Sequence, residues 1–290
     1  MDDTALSHIT DISETLLIPL YARAAESQTL HPILIDTKAV EITNELNKFF
    51  KTSSSPLYQS LLKGKIRRKL GKKLNVIFAL RTRKFDDYCT SFLQKHPNGI
   101  IIELGCGLST RFTRIDNGAV AWYDLDLPEV IDIRKQFFTE TNRDHFIASS
   151  VLNFTWMNRI PQDNKNILIL AEGLFMYLHE DDVKNLIRQL QQTFPGCDLA
   201  AEVVNTYIVW ILQKKIWRKK FQRDYHLGPD ASFYFGIHDS RDLEQWNQGL
   251  HFLDDWTYFD EKEKKLGWMN IFARSKKLRK TQWIIHYQLK

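Results

Sequence analysis

The stretch from Gly99 to Arg111 constrains this chain more than any other. Ile100-Ile101-Ile102-Glu103-Leu104 is a short β-branched run bounded by glycines, the pattern of a strand covered on both faces. It runs straight into Gly105-Cys106-Gly107, and a helix is expected to open soon after. Gly105 and Gly107 have no Cβ, so the backbone there can take positive φ and approach a ligand closely. Loops of this kind at the carboxyl end of a first strand bind nucleotide-like cofactors.

Two details point away from a dinucleotide. Thr110 stands where the third glycine of G-x-G-x-x-G would be. The strand also ends in an acid, Glu103, which would repel a pyrophosphate and suits a cationic amino-acid group better. Two further runs agree. Trp122-Tyr123-Asp124-Leu125-Asp126 places acids 19 and 21 residues beyond Gly105, where a strand-end carboxylate can accept from ribose hydroxyls. Ile167 to Ala171 is another apolar run, and it delivers Glu172 to the same sheet edge. Neighbouring carboxylates without partners are costly, so this convergence points to a cationic ligand.

The rest of the chain fits an α/β fold. Strands are expected at 119–126, 145–150, 167–171 and 199–204, with helices at 127–140 and 181–194 between them. This alternation calls for a parallel sheet with right-handed crossovers. A final strand is expected within 281–289. Residues 1–95 carry no convincing strand, and their apolar spacing is helical, with breaks near Pro32 and at Ser53 to Pro56. One more helix is expected over 86–95. The division is therefore a helical extension or lid, 1–95, and a ligand-binding domain, 96–290.

Composition excludes several classes. The charge is +5, with 40 basic against 35 acidic residues, too mild by itself to imply a nucleic-acid protein. Cys89, Cys106 and Cys197 are too few and scattered for a disulfide framework or a zinc cluster, and no spacing suggests another metal. No basic-then-apolar leader opens the sequence. The apolar stretch around 199–212 is interrupted by Glu202 and Asn205, short of the roughly 18 residues a membrane span needs. A cytoplasmic protein is expected.

At these residues the chain resembles the leucine carboxyl methyltransferase family, in particular its bacterial branch acting on polyketide carboxyls. The resemblance rests on Arg23-Ala24-Ala25-Glu26 with Asp36 to Ala39, Arg81-Thr82-Arg83, Gly105 to Arg111, Asp126-Leu127-Pro128, and Ala171 to Leu178, and covers about residues 10 to 200. It implies a Rossmann-like, seven-stranded sheet that binds S-adenosylmethionine and releases S-adenosylhomocysteine. By matching position, Arg81 would meet the methionine carboxylate, a bidentate task suited to arginine. Gly105 would lie under the methionine part, Asp126 would hold the ribose, Ser150 and Val151 the adenine, and Glu172 would face the amino-acid end. The full cofactor set expected is Arg81, Glu103, Gly105, Cys106, Gly107, Asp124, Asp126, Leu127, Ser150, Val151, Glu172 and Gly173. Tyr177 is the catalytic candidate and, with Arg23, lies on the substrate side. Ser109 stands where the family usually has Asp, and Ser150 where an acid often holds the adenine amine.

The expected reaction is methyl transfer to the carboxylate or hydroxyl of a small anionic or phenolic molecule. The alternatives are methylation of a protein C-terminus, or a cofactor-binding module that grips RNA through the basic clusters 63–73 and 214–220. A carboxylate acceptor needs no base, whereas a phenol would benefit from one. His226, His238 and His251 are the candidates, each expected to be a surface or capping residue instead.

Overall fold

The computed structural model describes residues 14–51, 55–63, 71–162, 166–225 and 232–290. Its centre is a seven-stranded sheet: β1 (Ile100–Leu104), β2 (Ala121–Asp126), β3 (Asp144–Ala148), β4 (Ile167–Ala171), β5 (Cys197–Val204), β6 (Leu250–Trp256) and β7 (Gln282–Leu289). The spatial order is β3-β2-β1-β4-β5-β7-β6. The first five strands are mutually parallel, and β7 runs antiparallel to both β5 and β6. This is the Rossmann-like order that places loops of β1 and β4 side by side, where the winding direction reverses.

The α-helices among the described residues are α1 (Glu14–Ser27), α2 (Thr37–Phe50), α3 (Pro56–Leu62), α4 (Gly71–Lys95), α5 (Arg111–Ile115), α6 (Pro128–Arg134), α7 (Glu180–Thr193), α8 (Thr206–Gln213), α9 (Lys215–Tyr225) and α10 (Lys276–Arg279). Strand alternation sorts the core into two layers. Ile100, Ile102 and Leu104 of β1 face one side, packed with Leu186 and Leu190 of α7. Ile101 faces the other, with Trp122, Leu168 and the α4 residues Leu80, Phe85, Cys89 and Phe92. A third cluster ties Leu17 and Leu20 of α1 to Leu46 and Phe50 of α2 and to Leu57 of α3.

Three expectations change. The helix expected over 86–95 begins at Gly71, because α4 forms a layer on the sheet rather than a surface turn. The helix expected over 127–140 ends at Arg134. The strand β6 was not expected at all: it is an edge strand with a register shift between Phe252 and Asp254, which breaks the period-two pattern.

The antiparallel half carries a partly buried charge cluster. His286 on β7 has Nδ1 3.3 Å from Asp254 and Nε2 3.6 Å from Asp198. Burial disfavours its cation, but the two carboxylates outweigh that and raise its pKa. A raised histidine stabilises the fold fully below its unfolded value, near 6.5, and loses that contribution as pH rises through the folded value. His286→Gln should therefore cost about 1–2 kcal/mol at pH 6 and much less at pH 9, read by urea unfolding at both pH values. An equal cost at both would show that the imidazole is not charged.

Candidate functional site

The carboxyl ends of β1, β2, β4 and β5 converge on one edge of the sheet, on the face that α4 covers. Beyond β1 the backbone turns through Gly105 (φ 67°) and Gly107 (φ 49°), left-handed conformations that favour glycine. A Cβ on Gly107 would lie 2.8 Å from Leu16 of α1, and one on Gly105 would lie 3.2 Å from Leu174 after β4. Gly105 and Cys106 both donate their N–H to the Leu125 carbonyl, at 2.8 and 3.1 Å. Asp126 closes the turn: its carboxylate accepts from Gly107 N–H at 2.7 Å and from Leu127 N–H at 2.8 Å. A carboxylate offers about four acceptor positions, so two remain for a ligand.

Beneath the loop a chain of ion pairs crosses the edge. Arg23 of α1 binds Asp36 at 2.9 Å, and Asp36 binds Arg114 at 3.0 Å. Arg114 binds Asp86 of α4, which also accepts from Arg111, both at 2.8 Å. Arg111 bonds Glu103 and Glu172 as well. Glu172 accepts from Arg81 at 2.7 Å, and Arg81 reaches Glu202 on β5 at 3.0 Å. Glu202 is completed by Tyr258 and Gln282.

The chain of pairs is short of cations. Arg23, Arg114, Arg111 and Arg81 face Asp36, Asp86, Glu103, Glu172 and Glu202, and Asp126 lies close by, outside the pairs. Glu103 shows the deficit most clearly. One of its oxygens is buried without a hydrogen-bond partner. Burial lifts its pKa to about 7, with Arg111 opposing and Asp124 and Glu172 adding to the rise. Burial also raises Asp126, to about 6. Glu172 goes the other way: burial would raise it, but Arg81, Arg111 and Arg23 together hold it at about 2. An anionic edge with an unpartnered buried carboxylate oxygen can accept a compact cation.

The expected residues are placed unevenly. Arg81, Glu103 and Glu172 meet through Arg111, while Gly105, Gly107, Asp126 and Leu127 form the adjoining turn. Gly173, at φ 68°, sits where a Cβ would be 3.7 Å from both Arg81 and Glu202. Ser150 is half-buried and accepts from Leu152 N–H at 3.3 Å, whereas Val151 packs into the core beside β3. Tyr177 is 37% exposed and meets Phe233 edge-on at 5.3 Å. Ser109 still caps its loop, accepting from Arg111 N–H at 3.3 Å.

Two expectations need correction. Asp124 is fully buried, bonded to the Trp122 indole at 2.9 Å and to Arg134, because it lies two residues short of the strand end. The Cys106 thiol points into a core of Ile131 and Phe146, and its N–H is already used, so neither faces the edge. Arg23 pairs with Asp36 and donates to the Leu108 carbonyl at 2.9 Å, which ties α1 to the glycine turn. Among the candidate bases, His238 is exposed beside Thr206 Oγ at 2.8 Å, His251 is exposed, and His226 lies outside the described residues.

Arg111, Asp86 and Glu202 were missed. Each had a signal: Arg111 ends the glycine-loop run, Asp86 follows Arg81-Thr82-Arg83 on α4, and Glu202 interrupts the apolar run 199–204. Two cavities lie away from this edge. One of about 510 Å³ opens between Lys184 and Arg188 of α7 and Trp246. Another, of about 160 Å³, lies between α1 and α2 beside Tyr21 and Asn47. Neither cavity is lined by Glu103. Among the described residues no group of three or more His, Cys, Asp or Glu is placed to hold a metal.

Known methyltransferases resemble the chain. The chain is 29% identical over 253 residues to the tetracenomycin polyketide synthesis O-methyltransferase TcmP of Streptomyces glaucescens, covering 87% of this chain and 85% of that one. It is 26% identical over 266 residues to the S-adenosyl-L-methionine-dependent methyltransferase dpfgK of Gibberella zeae, covering 85% and 82%. Among solved structures, the magnesium protoporphyrin IX methyltransferase of Synechocystis with bound S-adenosylmethionine overlays at a TM-score of 0.48 and 9% identity, covering 89% of this chain and 99% of that one. The model of the leucine carboxyl methyltransferase family matches residues 17–191. The chain therefore belongs to the leucine carboxyl methyltransferase family, and its activity is methyl transfer from S-adenosylmethionine.

Proposed function

We propose that this protein methylates an oxygen, carboxylate or phenolic hydroxyl, of a small anionic or aromatic molecule, a polyketide-like metabolite being the model acceptor. The observation that carries the reading is the cation-short edge: an unpartnered Glu103 oxygen beside a glycine turn whose Asp126 keeps two open acceptor positions. These groups fit S-adenosylmethionine, whose sulfonium and amine are cationic and whose ribose presents two hydroxyls. When bound, that cofactor supplies an electrophilic methyl carbon on a leaving group already activated by its charge.

The chain's own residues then have to orient and exclude water. Asp126 would hold the ribose, and Ser150 the adenine side. Arg81 would guide the methionine carboxylate while Glu172, held ionised, balances its amine. Leu16 and Leu174 close on the two glycines and keep the turn dry. Residues 1–95 divide under this reading: α1 to α3 cover the turn, while α4 belongs to the sheet layers. Tyr177 sits on the acceptor side. No base is required for a carboxylate.

A cytoplasmic setting fits the three cysteines, all free and buried. Among the described residues no helix is long and apolar enough to cross a membrane. The test is transfer of a labelled methyl group to a panel of carboxylate and phenolic metabolites. Tyr177→Phe should lower kcat/KM for the preferred acceptor about 10-fold, the worth of one hydrogen bond, and leave S-adenosylhomocysteine affinity unchanged. Labelling of protein C-termini alone, with no small acceptor modified, would overturn the reading.

A further inference from the structure

We propose that α8 and α9 form a docking surface for an anionic phospholipid bilayer. The eighteen residues from Thr206 to Arg223 contain no acidic residue. They carry the basic side chains Lys214, Lys215, Arg218, Lys219, Lys220 and Arg223. α8 is anchored by Val209 and Leu212, which pack with Met176 and Phe233. Its outer side presents Tyr207 and Trp210, 61% and 54% exposed. α9 then leaves the body: none of its described side chains is buried, and Ile216 is 80% exposed with Trp217 at 49%.

Two physical facts make this pair of helices unusual in water. An isolated helix of this length is marginal without a packed face, and α9 has almost none. Large aromatic and aliphatic side chains left in solvent beside lysines mark a contact surface. The chemistry favours a bilayer. Tryptophan and tyrosine sit well at headgroup depth, and lysine and arginine meet lipid phosphates around them. Lys214 lies 4.7 Å over the Trp210 ring and Lys220 lies 5.1 Å over Trp217, so each ring already has its cation beside it. Nucleic acid is a poorer match. Tyr207 and Trp210 stack on one another at 5.7 Å rather than standing apart to sandwich a base, and Ile216 offers no ring face.

The surface adjoins the proposed acceptor side. Phe221 of α9 meets Phe233 at 5.3 Å, and Phe233 meets Tyr177 at the same separation. Binding to lipid nevertheless stands apart from the methyl-transfer reading and is measured without turnover.

The experiment is co-sedimentation of the full chain with vesicles of phosphatidylcholine, alone or with phosphatidylglycerol. Binding is expected only with phosphatidylglycerol and should weaken as salt rises. The variant with Lys215, Arg218, Lys219 and Lys220 all changed to Gln should bind about 600-fold more weakly, from about a five-fold factor for each of the four charges. A second variant, with Trp210, Ile216 and Trp217 changed to Ser, should lose binding while keeping all the charges. Retained affinity for S-adenosylhomocysteine shows that both variants fold. The proposal fails if phosphatidylglycerol vesicles do not bind at low salt, or if the serine variant binds as well as the wild type. It also fails if a single-stranded RNA is held more tightly than the vesicles, or if the serine substitutions only break a dimer.

Discussion

Arg111→Ala is expected to cost about 3–5 kcal/mol of folding stability, read as a lowered urea midpoint with an unchanged slope. Arg111 is 1% exposed and is the one guanidinium that bonds Asp86, Glu103 and Glu172 together. Removing it leaves the three carboxylates unequal. Asp86 keeps Arg114 and Glu172 keeps Arg81, but Glu103 keeps no ion-pair partner among the described residues. Glu103 should then take up a proton, since burial already holds its pKa at about 7 with Arg111 in place. Adding Glu103→Gln to Arg111→Ala should therefore recover part of the loss, and a double-mutant cycle measures that coupling. A loss below about 1 kcal/mol would show that the network is incidental to the fold.

Asp126→Ala should weaken S-adenosylhomocysteine binding about 100-fold or more by calorimetry. The figure follows from two hydrogen bonds to a charged group, each worth about 1.5–3 kcal/mol. Asp126 lies outside the ion-pair chain and bonds only Gly107 and Leu127 N–H, so the effect should fall on affinity more than on unfolding. Its raised pKa, about 6, adds a signature. The carboxylate is ionised above that value and protonated below it, so wild-type affinity should fall as pH drops through about 6. The variant should lack that step. An unchanged affinity in Asp126→Ala would remove the ribose role, and tight binding of NADH instead would overturn the cofactor assignment for the whole turn.

Much of this was readable before any coordinates. The apolar runs and their glycine boundaries placed β1, β4 and β5 within two residues, because strands buried on both faces leave dense β-branched segments. Glu103, Asp126 and Glu172 were legible as strand-end acids. The register on which they meet, with Glu103 beside Asp124 and Leu170, is set by pairing. The edge strand β6 was not legible, since the register shift between Phe252 and Asp254 breaks its alternation.

What the linear order of residues determined here is the type of each element, the glycine turn and the kinds of charge at the strand ends, because those depend on neighbours within a few positions. Tertiary structure alone decided which acids are open and which are spent. Asp124 and Asp126 are two residues apart and chemically identical. Arg134 of α6 buries one, while the other ends its strand under the turn. Likewise Arg111 joins carboxylates from α4, β1 and the β4 loop that lie far apart along the chain. Burial and long-range pairing set the free energy of each ionised group, and neither is a property of local sequence.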